Sequence, residues 1–182
     1  MEGSPQSASS KAGRVGSRRR ALRLLVVKPT LDDLREWAKA VGVIALCIGF
    51  LAIVQFSTPN LVGNDGYYHI KLAALMRADG LKPEFVWLPL TILNPEQFVD
   101  HHFLFHVLLI PFTFGDLIAG AKWASVVFAS TAVAAIWWML RRQEVPYAGL
   151  WALGTLAVSE AFIFRMSMPR AQSLSLAILV LA

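Results

Sequence analysis

Apolar segments with few or no charged residues recur along the chain, and their lengths predict helices that cross a membrane. The first covers residues 40–57, which at ~1.5 Å per residue nearly span a ~30 Å hydrocarbon core. Segments of similar character cover residues 117–140 and 147–164, and a fourth runs over 171–182. The fourth reaches only ~18 Å at helical rise, which is too short to cross. The pattern predicts an all-α polytopic membrane protein with three full transmembrane helices and a truncated fourth, as in the amino-terminal part of a larger protein or a truncated gene product.

Residues 57–116, between the first two predicted spans, form a long loop with a different pattern. A helix from about Gly66 to Asp79 alternates apolar and charged positions, which suits a helix lying on the membrane. Three prolines between residues 83 and 95 predict irregular backbone resting on the interface. Residues 103–114 are apolar but short, and they predict a re-entrant or surface helix. The loop is therefore expected to consist of amphipathic and juxtamembrane helices.

Composition agrees with a membrane protein, and the distribution of charge predicts its orientation. Hydrophobic residues make up 56% of the chain, and the mean hydropathy is +0.54. Residues 1–40 hold nine of the 17 basic and four of the 12 acidic residues, and so carry the whole formal net charge of +5. The positive-inside tendency then places residues 1–30 in the cytoplasm, residues 57–116 outside and Arg141-Arg142 inside.

The first 30 residues are rich in Ser, Gly and Arg, which predicts a disordered basic tail ahead of a membrane domain over residues 31–182. Beside a transmembrane span, attraction to anionic lipid headgroups is favoured for this tail over nucleic-acid binding. A cleaved transit peptide is an alternative reading of its Arg- and Ser-rich composition. The expected location is integral to a membrane, the cell inner membrane if the organism is bacterial. Cys47 is the only cysteine, which excludes an internal disulfide.

Candidate chemistry begins where the first span ends. Asn64 or Asp65 suits the N-cap of the next helix, which would bring the Asp65 carboxylate and His69 to the same helix end. Carboxylate and imidazole at a membrane surface are suited to acid/base chemistry or to binding a divalent metal such as magnesium or manganese. The alternative is that Asp65 only caps the helix.

The remaining histidines fall in the same loop, in the run Asp100-His101-His102-Phe103-Leu104-Phe105-His106. His102 and His106 are four residues apart and would share one helical face. Their clustering with His69 favours a metal or acid/base site that also draws on Asp100. Histidines that cap helices at the interface are the alternative.

Two arginines follow the third predicted span on what would be the outer side. Outer arginines run against the positive-inside tendency, so Arg165 and Arg170 are candidates to bind an anionic partner such as a phosphate. Glu160, about one helical turn from Arg165, is the alternative partner in a structural ion pair.

Together these motifs resemble the membrane domain of the oligosaccharyltransferase catalytic subunit and the wider C-type glycosyltransferases. The resemblance covers residues 40–175, more loosely over 80–100. The motifs that carry it are the loop opening Asn64-Asp65-Gly66-Tyr67, the segment Ile110-Pro111-Phe112, the span ending Arg141-Arg142, and Phe164-Arg165-Met166-Ser167.

The resemblance implies a glycosyltransferase that uses a polyprenyl-linked sugar, with Asp65 as the metal-binding and catalytic carboxylate and Arg165 near the phosphate. The family's second carboxylate pair is absent, because residues 169–174 read Pro-Arg-Ala-Gln-Ser-Leu. This departure favours a divergent relative that transfers sugar to another acceptor. The competing class is a non-catalytic polytopic protein, such as a transporter fragment or an assembly factor.

Overall fold

A computed structural model describes residues 30–84 and 98–182, and within these ranges it contains helices and irregular segments but no strand. The predicted disordered tail, apart from Thr30, and most of the proline-rich stretch lie outside the described residues. Seven α-helices are described: α1 Leu31–Phe56, α2 Asp65–Asp79, α3 Phe103–Leu109, α4 Leu117–Arg142, α5 Ala148–Gly154, α6 Glu160–Ser167 and α7 Gln172–Leu181. Short 3-10 helices, Ile110–Thr113 and Thr155–Ala157, extend α3 and α5. Residues 39–182 form one compact unit, and all packing described below lies within it.

Two of the described helices are long and apolar enough to cross a membrane. They are the part of α1 from Leu34 to Phe56 and the whole of α4. These helices correspond to the first two predicted spans. The count in the described chain rises to three if the bent pair formed by α5 and α6 is one span. The structure therefore confirms an all-helical fold with two or three candidate spans. It does not confirm three full spans and a truncated fourth.

The third predicted span, residues 147–164, is not one continuous helix. Helix α5 and its 3-10 extension end at Ala157, α6 begins at Glu160, and the two axes differ by 91°. The break has a local cause in Ser159, whose backbone is extended and whose hydroxyl accepts a hydrogen bond from the Phe162 amide at 3.1 Å. That bond satisfies an amide of a new helix start, so Ser159 acts as an N-cap in the middle of the apolar run.

Helix α4 lies at the centre of the packing. Ala121, Ala124 and Ala132 on α4 have no exposed surface, and small residues such as these let neighbouring helices approach closely. One apolar cluster joins α4 to α1 and α5 through Cys47, Leu51, Val126, Val133 and Ala152, with others around it. A second joins it to α2 and α3 through Ile70, Ala73, Phe105, Leu109 and Phe128.

Two hydrogen bonds join three segments of the chain at the same end of α4. Lys122 Nζ, near the start of α4, donates a hydrogen bond to the Thr58 carbonyl, just beyond α1. Gln55 Nε2, in the last turn of α1, donates to the carbonyl of Ser167 at the end of α6. The loop after α1, the start of α4 and the end of α6 are therefore neighbours, while Arg142 ends α4 about 39 Å away at helical rise.

Helix α2 begins at Asp65, one residue before the predicted start, and ends as predicted at Asp79. The amphipathic pattern predicted that the apolar face of α2 lies on the membrane surface. In the structure this face also lies against other helices. His69, Ile70, Leu72, Ala73 and Met76 are buried, and α2 packs on α3, on the 3-10 helix that follows α3, and on α4. The amphipathic face is covered by protein because the loop folds back on itself.

The start of α2 touches the segment between α6 and α7. A Cβ atom added to Gly66 would lie 2.2 Å from Cγ of Pro169, a separation that real Cβ atoms do not show. Glycine at this position therefore allows the chain after α6 to pass against the first turn of α2. This contact brings residues that are about 100 positions apart in the sequence to one place.

Replacing Gly66 with alanine is expected to destabilise the fold, because Pro169 is a rigid ring that cannot rotate away. Overpacking of this kind costs roughly 1–3 kcal/mol. Gly49→Ala is the matched control, since a Cβ there has no atom within 4 Å and alanine favours a helix. Thermal unfolding of both variants in detergent should show a lower midpoint for Gly66→Ala only. Equal midpoints would contradict the close approach.

Candidate functional site

The carboxylate of Asp65 and the guanidinium of Arg170 form an ion pair between Oδ2 and an Nη atom. Asp65 is the first residue of α2, and Arg170 lies between α6 and α7, 105 positions later. The two side chains are 51% and 30% exposed, so solvent and a ligand can reach both. The structure thus unites one predicted catalytic residue with one predicted phosphate-binding residue.

The structure does not support the alternative in which Asp65 only caps the helix. Asn64 occupies the N-cap position of α2 in a helical conformation and makes no side-chain capping bond. Asp65 lies inside the first turn, where its negative charge is favourable to the helix dipole, and its Oδ2 atom engages Arg170. Its position is therefore set by a contact with a distant part of the chain.

The loop before α2 is shaped to permit this contact. Gly63 has a φ of +76°, a conformation that glycine adopts without the steric cost of a side chain. A Cβ added there would lie 3.2 Å from Cε of Met168. The Leu61 amide donates to the Tyr67 hydroxyl at 3.1 Å, which ties the loop to the first turn of α2. The loop and residues 168–169 therefore pack together beside the ion pair.

A second set of polar side chains forms a hydrogen-bonded chain next to this pair. His69 Nδ1 lies 2.7 Å from His106 Nε2, and His106 Nδ1 lies 2.6 Å from Asp100 Oδ2. Asp100 Oδ1 accepts a further bond, at 2.9 Å, from the backbone amide of His102. We call Asp100, His106 and His69 the histidine chain. His69 is 5% exposed and His106 is fully buried.

Aromatic rings enclose the histidine chain. Phe105 and His102 each place a ring centroid 5.2 Å from that of His69 in an edge-to-face arrangement. Tyr68 lies edge-on to His106 at 5.7 Å. Edge-to-face packing of this kind is favourable, and it keeps water from the two buried imidazoles.

Burial sets the charge of both imidazoles. It lowers the pKa of His69 from 6.5 to about 4, with further lowering by His106 and His102. Asp65 raises the pKa of His69 and Arg170 lowers it, so both charges of the ion pair act on this ring. Burial also lowers the pKa of His106, against an opposing effect of Asp100. Both rings are neutral at pH 7.

Arg165 and Glu160 are not brought into this arrangement, and His102 contacts it through its ring and its backbone amide. Arg165 and Glu160 are exposed on α6, and no ion pair joins them among the residues that the structure describes. His102 occupies the N-cap position of α3, and its ring centroid is 6.2 Å from that of His106. His102 and His106 were predicted to share one helical face, but the hydrogen bond of His106 goes to His69.

A metal ion at Asp65 and His69 would have to compete with the contacts that both side chains make. Asp65 Oδ2 is held by a guanidinium, whose positive charge repels a cation, and His69 Nδ1 is held by His106. Over residues 30–84 and 98–182, no group of three or more His, Cys, Asp or Glu side chains is arranged to hold a metal ion.

A cavity of about 530 Å³ lies beside the histidine chain. Its lining is mostly apolar, with Leu72, Met76 and Phe103 among its residues, and it also includes the basic Lys82 and the acidic Glu84 and Asp100. Asp100 is 14% exposed. The carboxylate end of the histidine chain therefore borders this cavity, while the His69 end lies in α2, one helical turn after Asp65.

Comparison of the chain with models of known protein families, with curated proteins and with solved structures finds no match.

The low pKa of His69 predicts a specific dependence of stability on pH. Between pH 6.5 and about 4 the unfolded chain binds a proton at His69 that the folded chain does not bind. The free energy of unfolding should therefore fall as pH drops through this range, by up to about 1.4 kcal/mol per pH unit for one such group. His69→Gln should make the fall in unfolding midpoint between pH 7 and pH 5 less steep.

The matched control is His101→Gln, because His101 is exposed in a turn outside the histidine chain. Its unfolding midpoint should keep the pH dependence of the unmodified chain. If the unfolding midpoints of the two variants and of the unmodified chain changed equally with pH, the assignment of His69 as buried and neutral would be wrong.

Proposed function

We propose that this chain is a C-type membrane glycosyltransferase, or the amino-terminal part of one, that uses a polyprenyl-phosphate-linked sugar donor on the outer face of the membrane. The observation that carries the proposal is the contact of Asp65 with Arg170. It joins an acidic and a phosphate-binding type of side chain at one end of a helical bundle with two or three candidate spans. Sugar transfer from a lipid phosphate requires both kinds of group.

Arg170 suits the phosphate of the donor. Its guanidinium is a planar fork that is always charged and matches two phosphate oxygens. It is partly exposed, and it contacts a carboxylate, which has the same charge sign and a similar geometry to the ligand expected there. A phosphate that displaces Asp65 would thus find a preformed site, and charge developing on the leaving group would be stabilised.

Asp65 suits the acceptor. When a donor phosphate takes over Arg170, the Asp65 carboxylate loses its partner and becomes available to accept a hydrogen from the attacking group. In the ion pair the two charges neutralise each other. The pair would then couple donor binding to activation of the acceptor.

Arg165 takes a secondary place in this proposal, although the family resemblance favours it. It lies on the exposed face of α6, whereas Arg170 contacts Asp65. Arg165 is proposed to make a further contact with the phosphate or with lipid headgroups. Membrane lipids and the polyprenyl-linked donor are the proposed partners, and the sugar and acceptor are left open.

One observation favours a second candidate, a non-catalytic membrane protein such as part of a transporter. Helices α5 and α6 form a bent pair within an apolar segment, and transporters place their binding sites at helix breaks of this kind. Glu160, at the start of α6, lines a groove together with Val54 and Ile163. A protein of this class would show no sugar transfer, with or without Asp65.

Replacing either member of the ion pair should reduce sugar transfer more than stability. Ion pairs that are this exposed contribute about 0–1 kcal/mol, so Asp65→Asn and Arg170→Lys should both fold. Asp65→Asn removes the carboxylate and should lower kcat by roughly 100-fold. Arg170→Lys keeps the charge and loses the fork, so it should mainly raise the KM for the lipid-phosphate donor.

The assay is transfer of a labelled sugar from polyprenyl phosphate in membranes that contain the variant, normalised to protein level. Arg165→Lys is the matched control for arginine substitution and should have the smaller effect. Normal transfer by Asp65→Asn would contradict the proposed role of Asp65, and absence of transfer by the unmodified chain would favour the non-catalytic class.

The proposal also includes an orientation, with the amino terminus in the cytoplasm and the Asp65–Arg170 pair outside. Cys47 is buried, so single-cysteine variants in a Cys47→Ala background can test it. Asn60 and Gln143 are both exposed and lie beyond opposite ends of the two long helices. In intact cells an impermeant maleimide should label a cysteine at position 60 and not one at position 143. The reverse pattern would invert the orientation.

A further inference from the structure

The histidine chain has a direction, which follows from what each group can donate. A carboxylate only accepts hydrogen bonds, so the hydrogen between His106 and Asp100 lies on His106 Nδ1. A neutral imidazole carries one hydrogen, which leaves His106 Nε2 as an acceptor. Since His106 Nε2 lies 2.7 Å from His69 Nδ1, the hydrogen between these two rings belongs to His69.

His69 is thereby left without a hydrogen on Nε2, and no hydrogen bond to this atom is present among the residues that the structure describes. Its only hydrogen is on Nδ1, where His106 accepts it, and burial keeps the ring neutral. Which nitrogen of a histidine is protonated is set by the bond that the other nitrogen makes. The hydrogen bonds that start at Asp100 therefore make His69 Nε2 a hydrogen-bond acceptor.

We propose that Asp100 and His106 are positioning residues that hold His69 in this tautomer, so that His69 Nε2 accepts a hydrogen bond from the acceptor molecule and orients it, while Asp65 takes up the hydrogen that the attacking group loses. In this step the attacking atom forms a bond to the sugar carbon, the bond from that carbon to the phosphate oxygen breaks, and the polyprenyl phosphate leaves against Arg170. His69 lies one helical turn after Asp65, and the charges of both Asp65 and Arg170 act on its ring. The role in transfer rests on the proposed function, whereas the tautomer does not depend on it.

Substitution of Asp100 by asparagine should reverse the direction of the chain. Asp100 Oδ1 accepts from the His102 amide, so the asparagine oxygen is expected to keep that bond and place its NH₂ group at the position of Oδ2. The NH₂ group donates to His106 Nδ1, the hydrogen of His106 moves to Nε2, and His69 Nδ1 becomes an acceptor. The hydrogen of His69 then shifts to Nε2, and the acceptor for substrate is lost.

The tautomers can be read without any substrate by two-bond ¹H–¹⁵N correlation spectra of ¹⁵N-histidine-labelled chain in detergent at pH 7. The chain has four histidines, and single His→Gln variants assign their signals. In the unmodified chain His69 and His106 should both carry hydrogen on Nδ1 only. A hydrogen on Nε2 of His69, or a doubly protonated His106, would overturn the inference whatever the activity.

The spectrum of Asp100→Asn should show His69 with hydrogen on Nε2. Asp79→Asn, an exposed aspartate at the end of α2, is the matched control and should leave both tautomers unchanged. Asp100→Ala provides a second test that does not depend on the orientation of the asparagine carboxamide. Because it removes the acceptor, it should abolish the preference of His106 for a hydrogen on Nδ1. An unchanged His69 signal in both Asp100 variants would show that Asp100 does not set the tautomer.

Transfer assays on the same variants test the role of His69. Asp100→Asn should lower kcat by at least about tenfold and leave the KM for the donor within about twofold, since it acts on the acceptor side. A normal kcat with a switched tautomer would overturn the role in transfer. Absence of transfer by the unmodified chain would contradict the proposed function and the role of His69 together, while the spectra would still decide the tautomer.

Discussion

The close approach of residues 168–170 to the start of α2 is the constraint on which the site depends. Gly66 leaves no room for a side chain against Pro169, and Gly63 turns the preceding loop with a positive φ beside Met168. These two contacts place Arg170 on Asp65. Neither charge needs to be buried for this, so the ion pair is held by backbone packing and remains accessible to a ligand.

The two halves of the site differ in their surroundings, and this gives them different chemistry. The Asp65–Arg170 pair is partly exposed, where charge is well solvated and a ligand can exchange with a side chain. The histidine chain is buried among aromatic rings, where the pKa of His69 falls to about 4 and a neutral ring is favoured. An accessible charged pair beside a neutral, oriented imidazole is an arrangement suited to binding a phosphate while orienting an uncharged acceptor.

Features of the fold that depend on local sequence are predictable, and those that depend on distant contacts are not. Run length predicted three full spans, of which two are long continuous helices and the third is broken, and the alternation of apolar and charged positions placed the end of α2 correctly. Ser159 could have been recognised as an N-cap from the Val158-Ser159-Glu160 sequence, but the hydrophobicity of the run concealed it. The apolar face of α2 was visible, whereas its burial by α3 and α4 required knowledge of how the loop folds.

The same difference between local sequence and distant contacts applies to the candidate site. Asp65, His69, Asp100, His106 and Arg170 were all identified from residue type and position. Their pairing was not, because i and i+4 spacing favoured His102 with His106, and Glu160 with Arg165 appeared the nearest ion pair. The observed partners are 37 and 105 residues apart. Spacing along one helix carries no information about such contacts.

The measurement that tests this account most directly is a cross-link between positions 65 and 170. Asp65→Cys and Arg170→Cys would be combined in a Cys47→Ala background and treated in membranes with a short bifunctional maleimide. The account predicts an intramolecular cross-link for this pair and none for cysteines at 65 and 143, since Gln143 follows the opposite end of α4. Failure of the 65–170 pair to cross-link, with both cysteines reactive towards a monofunctional maleimide, would contradict it.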